Sequence, residues 1–186
     1  MLNNYLAFEG IDGCGKTSIC TKVGEYLKYN FHKVHYVKEP GIIGSRKEIR
    51  DVIFNNHFND TTNSLLMAAD RQELISNEVI PKLKDNHWVL SDRSMWSSLA
   101  YTDLEPLQNW CLIRLACYHN KEYYIPFTFF IDTPIETCID RLSKRDKLDK
   151  FESVSIEKIT ARRDKYLDLA KQFPQNIAVI DSSNLS

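Results

Sequence analysis

The stretch Gly10-Ile11-Asp12-Gly13-Cys14-Gly15-Lys16-Thr17 follows the apolar run Tyr5-Leu6-Ala7-Phe8 and matches the pattern Gly, any four residues, Gly-Lys-Ser/Thr. Glycines in such a loop allow successive N–H groups to turn inward around a phosphate. We expect Lys16 to reach the β- and γ-phosphates of a nucleotide and the Thr17 hydroxyl to hold Mg²⁺. The helix that follows favours the same anion at its N-terminus. The pattern therefore predicts a phosphate-binding loop (P-loop) rather than a glycine-rich turn without a ligand.

The composition indicates one folded domain spanning residues 1–186, because 43% of the residues are hydrophobic and 11% are aromatic. The formal net charge is −1, which argues against a protein that binds nucleic acid or a membrane surface through excess positive charge. Local charge is more informative. Five of the ten residues from Arg141 to Lys150 are Lys or Arg, so this segment is strongly basic.

The five cysteines are odd in number and form no Cys-x-x-Cys pair, which favours a reduced protein without disulfides or a zinc site. Four of them fit helical core positions: Cys20, Cys111, Cys117 and Cys138. Cys14 lies inside the P-loop, where we interpret it as a small packing residue, the alternative being a reactive thiol. The sequence shows no signal peptide and no apolar run near the length of a membrane span, so we expect a cytoplasmic protein.

Apolar runs and helical periodicity alternate along the chain and predict an α/β fold. Strands are expected over 2–8, 34–37, 88–90, 127–131 and 177–180. Helices are expected over 15–29, around 49–55, 63–84, 96–101, 106–120, 134–142 and 155–173, with Thr61 or Thr62 as the cap of the long third helix. Such alternation implies a parallel sheet covered by helices on both faces.

A second acidic residue is expected at the end of a strand beside the P-loop, where it would help to hold the metal ion. Asp92 follows the apolar stretch Trp88-Val89-Leu90-Ser91 and is the best candidate. An acidic residue at a strand end also commonly forms a turn, so the residues around it have to decide between the two interpretations.

Five blocks of this sequence resemble, in the same order, those of the thymidylate kinase family. Residues 8–17 resemble the family's Phe-Glu-Gly-x-Asp-Gly-x-Gly-Lys-Ser/Thr loop, and residues 92–101 its Asp-Arg-Tyr/Ser-x-x-Ser-x-x-Ala-Tyr segment. Lys38-Glu39-Pro40-Gly41 is similar to its Arg-Glu-Pro-Gly turn, and residues 68–71 match its Ala-Ala-Asp-Arg segment. The basic segment resembles its LID, placed at about 141–153. The blocks span about 150 residues and imply a nucleoside-monophosphate kinase fold with sheet order 2-3-1-4-5.

The resemblance implies transfer of the γ-phosphoryl group of ATP to dTMP by a homodimer, with Mg²⁺ as cofactor. Asp12 would accept a hydrogen bond from the 3′-hydroxyl of the acceptor, Arg93 would bind its 5′-phosphate, and Tyr101 would exclude a 2′-hydroxyl. Arg71 would bind the edge of a pyrimidine, whose carbonyl oxygens suit its donors. The complete set of acceptor-binding residues is Asp12, Glu39, Pro40, Met67, Arg71, Arg93, Ser98 and Tyr101.

The expected ATP-binding residues are those of the P-loop and one arginine: Gly10, Ile11, Asp12, Gly13, Cys14, Gly15, Lys16, Thr17, Ser18 and Arg141. Thr17 and Asp92 are the expected metal ligands. The catalytic set consists of Lys16, Arg93, Asp12, Arg145 and Arg141. The two LID arginines belong to it because Gly13 stands where some members of the family carry an arginine, and Arg141 and Arg145 lie one helical turn apart.

Five positions depart from the family pattern and leave the preferred base open. Met67 stands where the family usually has Phe against the thymine, and a methionine packs on a ring less rigidly. Ser94 replaces the commoner Tyr, Thr102 replaces Gln, and Ile42-Ile43 replace Gly-Thr.

Two other functions remain open from the sequence. A deoxynucleoside kinase, or a monophosphate kinase with another base preference, would also carry a P-loop and a basic LID, and Glu39 would then serve as the base for a hydroxyl acceptor. A regulatory P-loop NTPase is a second class, although Asn120-Lys121-Glu122 does not complete a guanine-binding Asn-Lys-x-Asp motif and Arg93 rather than Glu follows Asp92.

Overall fold

The computed structural model of the chain describes residues 4–103, 106–144 and 155–183. Its strands are β1 (Tyr5–Glu9), β2 (Val34–Lys38), β3 (Trp88–Asp92), β4 (Tyr118–His119), β5 (Glu122–Tyr123), β6 (Phe127–Asp132) and β7 (Ile177–Asp181). Its helices are α1 (Lys16–Tyr29), α2 (Gly44–Asn55), α3 (Asp60–Leu74), α4 (Ile80–Lys84), α5 (Met95–Ala100), α6 (Pro106–Cys117), α7 (Ile135–Ser143) and α8 (Ile156–Gln172), and a π-helical segment (Ile75–Val79) joins α3 to α4.

The main sheet has five parallel strands in the order β2-β3-β1-β6-β7. Counted along the sheet-forming strands alone, this is the order 2-3-1-4-5, so the predicted fold is confirmed. Strand β1 lies in the centre, pairing with β3 on one side and β6 on the other. In this register Phe8 lies opposite Asp92 and Phe129. The P-loop after β1 therefore begins beside the carboxyl end of β3.

Helices cover both faces of the sheet, as its buried strands require. On one face Tyr5, Trp96 and Tyr166 belong to the largest apolar cluster. On the other face Phe8, Cys20 and Leu90 pack together under α1. Because apolar residues occupy both faces, β1 is held from both sides, which fixes the position of the loop that follows it.

The long helix predicted over 63–84 begins three residues earlier and changes form within its length. Asn59, not Thr61 or Thr62, is the N-cap, since its side chain accepts a hydrogen bond of 2.8 Å from the Thr62 N–H. The N–H of Ile80 bonds to the carbonyl of Ile75, five residues back. Pro81 has no N–H, so regular α-helical hydrogen bonding cannot continue through this turn.

The helix predicted over 106–120 ends at Cys117, where the small antiparallel hairpin β4–β5 begins. Alternation over so few residues gives no strand pattern that a sequence analysis can detect. Cys111 is exposed, so its predicted core position is wrong, whereas Cys20, Cys117 and Cys138 are buried.

Two predictions fall partly outside the described residues. They are the beginning of the first strand at Leu2 and the part of the LID from 145 onward, including Arg145. Among the residues that are described, no helix combines the length and the apolar character that crossing a bilayer requires.

The cap at Asn59 gives a prediction about stability. Asn59→Ala should lower the free energy of unfolding by about 1 kcal/mol, because the Thr62 N–H loses its acceptor. Asn59→Asp retains a side-chain oxygen and should cost much less. Chemical denaturation of both variants and of Thr61→Ala measures the effect. A larger loss for Thr61→Ala than for Asn59→Ala would contradict this assignment of the cap.

Candidate active site

The P-loop lies at the carboxyl edge of the sheet, between the end of β1 and the start of α1. Gly13 has a φ of 85°, and a Cβ atom there would lie 2.5 Å from the carbonyl oxygen of Cys138. A side chain at this position would therefore collide with the backbone of α7. This close approach explains why the loop carries glycine there.

Thr17 and Asp92, the expected metal ligands, are in contact. The Thr17 hydroxyl donates to Asp92 Oδ2 at 2.8 Å, and Lys38 Nζ lies 3.1 Å from the same oxygen. Asp92 Oδ1 is buried and has no hydrogen-bond partner among the described residues. Burial opposes ionisation of Asp92, but Lys16, Lys38 and the Thr17 hydrogen bond outweigh it and lower the pKa of the carboxyl group. A hydroxyl beside an ionised carboxylate with a free oxygen fits the hard oxygen ligands that Mg²⁺ prefers.

Asp12 lies at the centre of a charged cluster that joins the P-loop to the segment after β3. Arg93 Nη2 forms an ion pair with its Oδ1, and the Tyr101 hydroxyl donates to its Oδ2 at 2.9 Å. Lys16 Nζ lies 3.6 Å from Oδ1. Burial alone would raise the pKa of Asp12, but Arg93, Lys16 and the Tyr101 hydrogen bond lower it to about 2. The structure thus brings together four residues that the sequence predicts to act at one site.

Arg93 is held in place by its backbone as well as by its side chain. Its φ of 77° is unusual for a residue with a side chain, and its N–H donates to the Phe8 carbonyl at 3.1 Å. Its guanidinium group also donates to the Ser97 hydroxyl at 3.1 Å and to the Tyr101 hydroxyl at 3.1 Å. The conformation aims the guanidinium group back at the P-loop.

Glu9 anchors this segment, although the sequence analysis gave it no role. The side chain is fully buried, and its Oε1 accepts hydrogen bonds from the N–H groups of Ser94 (2.7 Å) and Ser97 (3.0 Å). Its Oε2 accepts from the Ser97 hydroxyl (2.7 Å) and from the hydroxyl of Tyr166 in α8 (2.8 Å). An acidic residue at the end of a buried strand was the signal available in the sequence, because such a group needs several donors.

Arg71 and Glu39 form a second buried ion pair, beside the turn that follows β2. Arg71 Nε donates to Glu39 Oε2 at 2.8 Å, and its Nη2 lies 2.6 Å from the same oxygen. Nη2 also donates to the Ser98 hydroxyl at 3.0 Å. Burial raises the pKa of Glu39 despite the attraction of Arg71, and the pKa of Arg71 is also raised because Glu39 outweighs burial.

A cleft of about 250 Å³ connects the two charged ends. The predicted residues that line it are Asp12, Lys16, Thr17, Glu39, Pro40, Met67, Arg71, Arg93, Ser98 and Tyr101. Sequence analysis missed other lining residues, among them Lys38, Arg50, Phe54, Asn63 and Ser64. The Arg50 guanidinium lies 4.3 Å from the centre of the Phe54 ring. Both come from α2, which contains none of the motifs that the sequence analysis used.

The turn that carries Pro40 is supported from beneath by a buried ion pair. Asp70 accepts from the Gly41 N–H at 3.1 Å and from Arg46 Nε at 3.2 Å, and Arg46 Nη2 donates to the Lys38 carbonyl at 2.7 Å. Asp70 therefore holds the turn in place, while Arg71 beside it faces the cleft.

Arg141, near the end of α7, reaches the P-loop from the other side. Its Nη1 donates to the Gly13 carbonyl at 3.2 Å. This places a cation beside the loop, as predicted, whereas Arg145 lies outside the described residues. Cys14 is buried within the loop, and burial raises the pKa of its thiol, in keeping with a packing role.

Comparison with known proteins identifies relatives along almost the whole chain. The sequence model of the thymidylate kinase family matches residues 8–185. The thymidylate kinase of Kosmotoga olearia is 32% identical over 182 residues, covering 96% of this chain and 88% of the relative. That of Enterococcus faecalis is 32% identical over 190 residues, covering 96% and 87%. The crystal structure of thymidylate kinase from Ehrlichia chaffeensis has the same fold, with a TM-score of 0.73 over 97% of this chain and 89% of the other at 24% identity.

The low pKa of Asp12 predicts how stability depends on pH. A carboxyl group with an ordinary pKa of 3.8 and a folded-state pKa of about 2 stabilises the fold at higher pH, and this stabilisation is lost as the pH falls through about 2. Between about pH 5 and pH 2 the free energy of unfolding should fall by about 2 kcal/mol more in the parent than in Asp12→Asn. Denaturant titrations across this range measure the difference. Parallel curves for the two proteins would show that the cluster does not hold Asp12 ionised.

Proposed function

The chain belongs to the thymidylate kinase family, and we propose that its cleft transfers the γ-phosphoryl group of ATP to dTMP, giving dTDP. One observation carries the proposal. The Asp12–Arg93 pair lines the cleft beside the P-loop, after β1 and β3, and the Arg71–Glu39 pair lines it beside the turn that follows β2. The cleft thus offers a cation for a phosphate beside the P-loop and hydrogen-bonding groups for a base away from it.

ATP binds with its phosphates in the P-loop. Backbone N–H groups and the dipole of α1 attract them, and Lys16 approaches the β- and γ-phosphates. Arg141 touches the loop at Gly13 and faces the phosphates from the side of α7. Ser18 is exposed in the first turn of α1, next to Thr17.

Thr17 and Asp92 would hold Mg²⁺, in keeping with their contact and with the buried Oδ1 of Asp92, which has no hydrogen-bond partner among the described residues. When bound, the ion neutralises part of the charge that develops on the phosphate oxygens. Lys16 and, with a smaller effect, Lys38 keep the Asp92 carboxylate ionised.

The acceptor dTMP places its 5′-phosphate at Arg93, where a planar guanidinium fork fits phosphate oxygens. Asp12 accepts from the sugar 3′-hydroxyl, since an ionised carboxylate has room for more donors than Arg93 and Tyr101 supply. Tyr101 lies against the sugar at the 2′ position. Its bonds to Asp12 and Arg93 tie the residues that bind sugar and phosphate into one unit.

The base lies between Pro40, Met67 and the edge formed by Arg71 and Ser98. The Arg71 guanidinium, held by Glu39, directs donors toward the carbonyl oxygens of a pyrimidine. Phe54 lines the same part of the cleft and adds an aromatic surface where Met67 lacks one. This arrangement suits dTMP, with dUMP as the next acceptor.

The transfer requires charge and positioning rather than a strong base. The attacking oxygen belongs to the acceptor's own phosphate and is already ionised at neutral pH. A deoxynucleoside kinase needs a carboxylate base for its hydroxyl acceptor, and Glu39 is the candidate. That carboxylate is buried and its Oε2 is already bonded to two nitrogens of Arg71, which leaves it less accessible to a substrate hydroxyl.

A regulatory NTPase would not require the acceptor half of the cleft. Here a second set of polar groups lies beyond the P-loop, and Arg93 connects it with Asp12. Family membership and this second half together support an enzyme. A cytoplasmic homodimer completes the proposal, on the basis of the family resemblance.

An acceptor panel tests this function. With Mg–ATP fixed, dTMP should give the highest kcat/KM among dTMP, dUMP, dCMP, dGMP, UMP and thymidine, because Arg93 requires a phosphate and Arg71 a pyrimidine edge. A coupled ADP-release assay measures each rate, with an acceptor-free reaction as the control. A faster rate with thymidine than with dTMP would support the nucleoside kinase instead. ADP release that no acceptor increases would support the regulatory NTPase.

The role of Arg141 predicts a loss in rate rather than in binding. Arg141→Ala should lower kcat by about 10³-fold, the range in which a catalytic arginine acts, and change the KM for dTMP by less than about threefold. Lys144→Ala is the matched control, since Lys144 is exposed at the end of the same helix and pairs with Asp140. Steady-state kinetics separate the two parameters. A decrease in kcat of less than about tenfold would assign the phosphate charge to another residue, first of all Arg93.

A further inference from the structure

One face of α8 supports the segment 97–103, which carries Tyr101. Tyr166 donates to Glu9 at 2.8 Å and lies 3.0 Å from the Ser97 hydroxyl. Lys165 donates to the carbonyl of Thr102 at 2.8 Å. Residues 165 and 166 lie three and four positions after residue 162, so the side chains of both project from the same face of the helix as that of residue 162. Arg162 is the member of this set that contacts Tyr101, and Tyr101 lines the cleft.

The ring of Tyr101 is contacted by two guanidinium groups. Arg93 Cζ lies 4.9 Å from the ring centre and Arg162 Cζ lies 4.2 Å from it. Both distances are within the range of cation–π attraction. The hydroxyl is already fixed by its bonds to Asp12 and Arg93. The Tyr166 ring lies edge-on to the Tyr101 ring at 6.5 Å. The Arg162 cation adds a contact on the ring itself, which further restricts its tilt.

We propose that Arg162 is a positioning residue that enforces selection of a deoxyribose over a ribose, because it holds the Tyr101 ring against the 2′ position of the acceptor. The inference rests on the proposed function, which places the sugar against Tyr101. In the proposed complex Arg162 touches neither the phosphates nor the base, and its effect on sugar selection passes through the Tyr101 ring.

The charge of Arg162 agrees with this position. Burial raises the pKa of Asp12, and the cations that lower it are Arg93, Lys16 and, with a smaller effect, Arg162. Arg162 therefore lies within electrostatic reach of the group that binds the 3′-hydroxyl. A neutral residue at position 162 would leave Asp12 ionised, because Arg93 and Lys16 remain.

The neighbouring residue Arg163 provides a matched control. It comes from the same turn of α8, but its Nε and Nη2 donate to Asp132 at 2.6 and 2.8 Å. Its guanidinium group is therefore committed to the carboxyl end of β6. Arg163→Met removes an arginine of equal size and charge without touching Tyr101.

The first experiment compares kcat/KM for dTMP with that for its ribose counterpart. Arg162→Met should narrow this preference by about three- to tenfold, the effect expected from losing one cation–π contact, while kcat for dTMP changes less than about twofold. Arg162→Lys keeps a cation over the ring and should restore most of the preference. Arg163→Met should retain the preference of the parent. An unchanged preference in Arg162→Met, or an equal decrease in Arg163→Met, would overturn the inference.

The second experiment tests whether the effect passes through the ring. In a Tyr101→Ala background, Arg162→Met should no longer change the preference, because no ring remains to be held. An equal change in both backgrounds would show that Arg162 acts on the substrate by another route, and the inference would be wrong. A double-mutant cycle on the free energy of unfolding should show favourable coupling between the two residues, and its absence would also contradict the contact.

The parent enzyme separates this inference from the proposed function. If the parent does not phosphorylate dTMP, the proposed function fails and the inference fails with it. If the parent phosphorylates dTMP and its ribose counterpart equally well, only Tyr101 and Arg162 lose their roles. If the parent prefers dTMP and the Arg162 variants match it, the function stands and the inference alone is overturned.

Discussion

The parallel pairing of β1 with β3 is the constraint on which the site depends. With Phe8 opposite Asp92, the P-loop and the segment after β3 leave the sheet side by side. Two contacts between them follow, Thr17 with Asp92 and Asp12 with Arg93. Residues more than seventy positions apart in sequence thereby become neighbours. A shift of one residue in this register would turn Asp92 toward the opposite face of the sheet and separate both pairs.

Charges then determine what the edge of the sheet can bind. Asp12 and Asp92 are kept ionised although both are largely buried, because Lys16 and Arg93 lie near them. Lys16, Arg93 and Lys38 carry three positive charges near the two carboxylates of Asp12 and Asp92. The excess positive charge favours the binding of anions. Beside the turn after β2, the charges of Arg71 and Glu39 neutralise each other. Glu39 fixes the orientation of the Arg71 guanidinium group, which also donates to Ser98. A polyanion beside a P-loop and a neutral base at a polar wall match this distribution of charge.

The sequence predicted the five strands of the main sheet and most residues of the candidate site, because both depend on local patterns. Apolar runs located the strands of the main sheet, and motif spacing indicated Lys16, Thr17 and Asp92. The resemblance to the family added Asp12 and Arg93, which lie at the same strand ends that the topology brings together. The residues it missed act through distant partners. Glu9, at the carboxyl end of β1, accepts hydrogen bonds from Ser94 and Ser97 in the segment after β3. Arg162 contacts the Tyr101 ring from α8. No spacing within the sequence encodes such contacts. The N-cap was misplaced because Asn59 and two threonines compete within four residues, and backbone geometry decides between them.

The central claim is that the two ends of one cleft bind the two ends of dTMP. A crystal structure of the protein with dTMP and ADP tests this most directly. The account predicts the 5′-phosphate at Arg93, within about 3 Å of its guanidinium nitrogens, and the pyrimidine edge facing Arg71 and Ser98. The 3′-hydroxyl should lie at Asp12 with the Tyr101 ring under the sugar. The base at the P-loop end of the cleft, or dTMP bound elsewhere on the protein, would contradict the account.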